Sequence, residues 1–238
     1  MSTAARAPAP WQAGLQGARA NLGPGFVLQL FALALVLGYY FVPAAHAALN
    51  DLSAFRERLG VIYSLASTAL FGGLIPWCYL RLMPRTRSRY DARQAVGLIL
   101  FWAYKGVEVH LLYEGLAHWV GADNNAATVV IKVLLDQLIY CPLLAVPGMW
   151  WGYQLVEHRG DFAGVWRRFR TRGWFYHELL PVLIANAGVW VPTVTIIYTL
   201  PTPLQLPLEN LVLCFFTLML AHLAQKRGEP VPAPGVTA

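Results

Sequence analysis

The sequence predicts an all-α fold, a polytopic transmembrane helix bundle of about six spans (four to six), with both termini on the inside. Three observations predict it. Hydrophobic residues make up 57% of the 238-residue chain and charged residues only 13%, with a mean hydropathy of +0.48; that balance belongs to membrane proteins rather than soluble ones. The apolar residues fall in stretches long enough to cross a hydrocarbon core of about 30 Å, which takes about 20 helical residues. The arginines lie between those stretches, so the net charge of +6 reads as inside-facing membrane anchors. A nucleic-acid partner is not expected.

Taken in order, residues 1–24 hold Pro, Gly and Ala with Arg6 and Arg19 and no acid, and read as a flexible tail. They lack the Ser and Arg richness of an organelle-targeting sequence. Residues 26–49 form the first span, too long for a signal-peptide core. A charge-balanced loop follows with Asp51, Arg56, Glu57 and Arg58. The second span covers 60–80, where Ala69, Gly72 and Gly73 allow close helix contact. The next loop, RLMPRTRSRYDAR, sets five arginines against one aspartate and belongs inside.

The third span runs over 95–120 and the fourth over 127–156, the latter interrupted by Pro142 and Pro147. In the basic stretch after it, Phe162, Val165, Trp166 and Phe169 recur at helical spacing, with Asp161 placed to cap. That fits a short amphipathic helix at headgroup depth as well as it fits a plain loop. The fifth span covers 175–200 with Pro181 and Pro192 within it. An uncharged TPLQLP turn leads to a short last span, 208–224, closed by Lys226 and Arg227. The tail from 227 onward is expected to be disordered, so the bundle occupies 25–226. Trp77, Trp119, Trp150, Trp151 and Trp174 lie near span ends, as interfacial belts require. The three cysteines, Cys78, Cys141 and Cys214, lack CxxC spacing and read as packing residues.

The function should reside in 101–144. There two apolar stretches carry Lys105, Glu108, His110, Glu114 and His118, then Lys132, Asp136 and Gln137. A charge at the bilayer centre costs about 2.5–3.5 kcal/mol, so these groups must face one another or a wet interior. His110, Glu114 and His118 share one helix face and could line a cavity, ligate a metal, or serve helix packing by hydrogen bonds. A metal would need partners from His177, Glu178 or His222. Lys105 with Glu108 and Lys132 with Asp136 have the spacing of intrahelical ion pairs. Those pairs either neutralise charge for insertion or line a pathway. No GxSxG, HExxH, GxGxxG or GxxxxGK[ST] motif occurs, so neither an enzyme nor a cofactor is expected.

Part of this pattern resembles the twenty-two-kilodalton peroxisomal membrane protein family, which includes mitochondrial inner-membrane members. Gly106, His110 and Tyr113 are similar to its Gly-Pro and His-x-Trp-Tyr pattern, with Val107 and Leu112 replacing Pro and Trp. Asp136, Gln137 and Pro142, with Lys132 one turn earlier, resemble its Asp-Gln and Pro. Asp91 and Arg93 look like its entry region. Asn186, Trp190 and Pro192 are similar to its Asn-Trp-Pro region, and Tyr198 and Pro201 to its Phe and Pro.

Departures are the late Pro192, Val194 and Ile197 where the family has Gln and Asn, the missing closing Arg and Trp, and the missing Gly-Asp and Gln of the second span. The resemblance covers about 60–225, with 26–49 as an added helix, and marks a divergent relative. It implies channel-like passage of small solutes or ions.

The polar path is then expected along Lys105, Glu108, His110, Tyr113, Glu114, Lys132, Asp136, Gln137, Asn186 and Trp190, with His110 as a source of pH sensitivity. Its partners would be membrane lipids and small solutes or ions, and the sequence admits a homo-oligomer. The membrane is the cytoplasmic one if the chain is bacterial and an organelle's if it is eukaryotic. The competing readings are a scaffold without transport and an intramembrane metal or haem enzyme.

Overall fold

A computed structural model describes residues 9–227. Among them the chain forms nine helices and no strand. They are α1 (Pro10–Ala20), α2 (Leu22–Phe41), α3 (Pro43–Leu59), α4 (Val61–Leu82), α5 (Ala92–Trp119), α6 (Ala126–Glu157), α7 (Phe162–Phe169), α8 (Phe175–Ile197) and α9 (Thr202–Arg227). Six of them, α2, α4, α5, α6, α8 and α9, are long and apolar enough to cross a membrane. The chain is an integral, multi-pass membrane protein.

Four sequence expectations change. Residues 10–20, expected to be flexible, form α1, whose small residues seat it on α8. Gly14 lies against Pro181 and Ile184, and Ala18 against Gly188. The expected disordered segment at 228–238 lies outside the described residues.

The first span stops at Phe41 rather than reaching residue 49. Pro43 has no N–H to offer the Tyr39 carbonyl one turn back, and Val42 before it is extended. His46 takes over, its ring nitrogen Nδ1 lying 3.0 Å from that carbonyl. The supposed loop at 51–58 is the last part of α3. Finally, the TPLQLP turn is the opening of α9, which makes the last span the longer and more central one. In α9, 56% of the apolar window is buried, against 28–33% for the other five spans.

Three helices contain a wide turn: residues 69–74 in α4, 136–145 in α6 and 175–179 in α8. Each ends two residues before a proline. Ile75, Val146 and Leu180 send their N–H groups back five residues, to the carbonyls of Leu70, Cys141 and Phe175. The prolines that follow, Pro76, Pro147 and Pro181, cannot donate, and such a π-type turn absorbs the mismatch without breaking the helix.

Helices α4 and α5 pack closely. A Cβ on Gly106 would overlap the Ser64 carbonyl, and one on Gly72 would enter the Trp102 ring. Close approach of this kind drives helix association where lipid removes the hydrophobic gain.

The two basic loops meet on one face of the bundle. Arg89 pairs with Glu157 at 2.6 Å, and Arg93 donates to the Arg159 carbonyl at 3.1 Å. The basic stretch before α8 is the helix α7. Asp161 caps it through the Gly164 N–H at 2.9 Å, and buried Val165 holds it against Trp151 and Leu155 of α6.

Candidate functional site

Inside the bundle lies a cavity of about 300 Å³. It runs from Gln154 and Glu157, at the end of α6 that carries the basic loops, inward to Tyr113, Asp136 and Glu209. Most of its wall is apolar, with Trp102, Val109, Met149 and Trp190 among the lining groups. Its polar groups are concentrated on three helices, α5, α6 and α9.

On α5, Lys105 donates to the Glu108 carboxylate one turn on, as the spacing predicts. The Tyr140 hydroxyl donates to the same carboxylate at 2.7 Å, and the Lys105 ammonium lies 5.7 Å from the Tyr140 ring centroid. Gly148 on α6 faces this pair, where a Cβ would come within 3.8 Å of the Lys105 nitrogen.

Deeper in, two tyrosines each hold one carboxylate. The Tyr113 hydroxyl donates to Glu209 at 2.7 Å, and the Tyr198 hydroxyl donates to Asp136 at 2.6 Å. The two rings meet edge to face, 5.6 Å between centroids. Gln137 and Cys141 also donate to Asp136, at 3.2 and 3.7 Å. Gln137, Tyr140 and Cys141 all belong to the wide turn of α6, which brings them to the cavity together with Asp136. Turns of this type recur at functional sites.

Of the residues singled out in the sequence, Lys105, Tyr113, Asp136, Gln137, Asn186 and Trp190 line the cavity. Glu108 joins it through Lys105 and Tyr140. His110, Glu114 and Lys132 do not line it.

His110 turns to α4, its Nδ1 at 3.1 Å from the Ser64 hydroxyl. Glu114 accepts an N–H from Arg56 of α3 at 2.9 Å, and a second N–H of the same guanidinium reaches the Thr202 carbonyl at 3.2 Å. This pairing neutralises the buried Arg56. His118 is exposed beside Trp119. Among the described residues, no three His, Cys, Asp or Glu side chains come together as a metal ion would need. The proposed helpers are elsewhere: Glu178 binds Arg168 at 2.9 Å, and His222 faces the Tyr79 hydroxyl at 3.2 Å.

The expected Lys132–Asp136 pair does not form. Asp136 is satisfied by Tyr198, Gln137 and Cys141, while the buried Lys132 ammonium has no hydrogen-bond partner.

Sequence reading missed Glu209, Tyr140, Tyr198 as a carboxylate partner, and Arg56. Glu209 carried a usable signal. It is the single acid in residues 202–227, and an ionisable group inside a span is a site candidate by default. Reading 202–207 as a turn moved it to the edge of its helix.

No family model, curated protein or solved structure matches this chain.

Proposed function

We propose that the protein passes small polar solutes or ions across the membrane, using the cavity between α5, α6, α8 and α9 as the path. The observation that carries this reading is a cavity deep in an apolar bundle with Lys105, Asp136 and Glu209 in its wall. Charged groups in a span face a wet interior, where they select what enters.

The volume is about ten times the roughly 30 Å³ share of a liquid water, which limits the solute to about that many non-hydrogen atoms. Each deep carboxylate has more acceptor positions than its tyrosine fills, so solutes bearing ammonium or hydroxyl donors are favoured. Toward the face away from the basic loops the path is closed. The Tyr113–Tyr198 pair and the buried side chains of Val129, Leu200 and Leu204 form one packed cluster there. The tyrosine pair is then the gate, and its hydroxyls couple the gate to Asp136 and Glu209. The resemblance of Gly106, His110, Tyr113 and the Asp136–Gln137 pair to a family credited with solute passage supports the same reading. The chain has no catalytic step in this account.

Release of a small polar solute from liposomes holding the purified protein tests the proposal. Wild type should release it faster than empty liposomes, and an Asp136→Asn, Glu209→Gln double variant should change the rate or the solute preference. Tyr198→Ala should raise release by loosening the gate. Absence of release, with folded protein confirmed in the membrane, would overturn it.

A further inference from the structure

We propose that a second groove, between α5 and α6 on the lipid-facing surface, binds an anionic phospholipid of the leaflet on the side of the basic loops. One acyl chain would lie in the groove, with the phosphate held by Arg93 and Arg159. The groove has a volume of about 530 Å³ and shares no role with the solute cavity. Its apolar part is lined by Val96, Leu100, Phe101 and Val156, and its far end by Tyr104. Gly97 and Gly152 form its floor, both in close approach to the opposite helix. A Cβ on Gly152 would enter the Phe101 ring, and one on Gly97 would press on Val156.

The length of the groove fits half a bilayer. Arg93 stands at the start of α5 and Tyr104 within it, a rise of about 16 Å at 1.5 Å per residue. The hydrocarbon half-thickness is about 15 Å. Arg93 therefore lies at headgroup depth when Tyr104 lies near the midplane.

Charge decides the headgroup. Two neighbouring arginines are already neutralised, Arg89 by Glu157 and Arg168 by Glu178. Arg93 is exposed and donates only to the neutral carbonyl of Arg159, which ties the two sides of the mouth together. The Arg159 backbone adopts φ 53°, a left-handed conformation uncommon for a residue with a side chain. It carries its exposed guanidinium into the turn between α6 and α7, and that guanidinium has no partner among the described residues. Asp91 also borders the groove, but its carboxylate caps α5 by accepting the Gln94 N–H at 2.9 Å. Gln94 borders it too, and its buried Oε1 has no hydrogen-bond partner, leaving an acceptor for a headgroup hydroxyl. Basic pockets between spans on the inner side are where anionic headgroups bind.

Native mass spectrometry of the full chain in detergent tests this, with dioleoyl phosphatidylglycerol against dioleoyl phosphatidylcholine. Wild type should retain one phosphatidylglycerol in preference to phosphatidylcholine. Arg93→Gln with Arg159→Gln should weaken that binding about 30-fold, roughly fivefold for each arginine at a charged surface. Leu100→Trp, at an exposed position, should fill the groove and abolish the preference with both arginines present. Equal retention of the two lipids would overturn the proposal, as would an undiminished preference in either variant. Full displacement of the lipid by inorganic phosphate would make the site one for a free anion instead.

Discussion

Lys105 and Lys132 occupy similar places in the sequence and opposite situations in the fold. Each lies in an apolar stretch, one helical turn before a carboxylate, and each is buried. Lys105 meets its carboxylate, and Tyr140 from the neighbouring helix supports the pair. Lys132 loses its expected partner to Tyr198, Gln137 and Cys141. The difference begins at Asp136, where the wide turn of α6 starts. Beyond that point the residues no longer follow the ordinary helical register, and Asp136 is claimed by its own turn and by Tyr198 just after α8. Helical spacing says which groups can meet; the other helices decide which do.

Three substitutions break or sharpen the comparison. Glu108→Leu should have the largest effect, because it strands Lys105 in a site where its side chain is 4% exposed. Removal of one partner of a buried pair costs about 3–5 kcal/mol, readable as a lowered unfolding midpoint in detergent. A loss under about 1 kcal/mol would mean water already solvates Lys105. Tyr198→Phe should come next, at about 1.5–3 kcal/mol, the worth of a hydrogen bond to a charged group. Should it leave unfolding untouched, Asp136 is not held as described.

Lys132→Met should have the smallest and opposite effect. It removes an ammonium without a hydrogen bond, and the protein should become more stable by about 1 kcal/mol. Combined with Asp136→Asn it should show coupling below about 0.5 kcal/mol, as expected of residues that share no partner. A larger coupling would restore the intrahelical pair. Glu108→Leu and Lys105→Met provide the contrasting cycle, where coupling should exceed that value.

Much of the bundle was legible in the chain. Six spans follow from apolar length, and the two basic loops fall on one face as their arginine content predicts. The errors both lie at prolines. The first span is read straight through Pro43, while TPLQLP is read as a turn. Pro43 ends α2, and His46 takes up the Tyr39 carbonyl. At the other end, Pro203 opens α9 and Pro207 lies within it without ending the helix. In the site, Lys105, Tyr113, Asp136, Gln137, Asn186 and Trp190 were legible because polar groups in a span must converge somewhere. His110 and Glu114 belong to the same class, yet serve the contacts to α4 and α3.

The sequence by itself determined that this chain spans a membrane, roughly where each helix runs, and that charges such as Lys105 and Asp136 are kept from lipid. Those conclusions follow from local composition and from the cost of exposing charge to lipid, neither of which depends on neighbours. Only the tertiary structure decided which inward groups share a cavity. Glu209 meets Tyr113 across 96 residues, Asp136 meets Tyr198 across 62, and Arg56 meets Glu114 across 58. Such partners are chosen by how the helices pack, and no local pattern in the sequence encodes that choice.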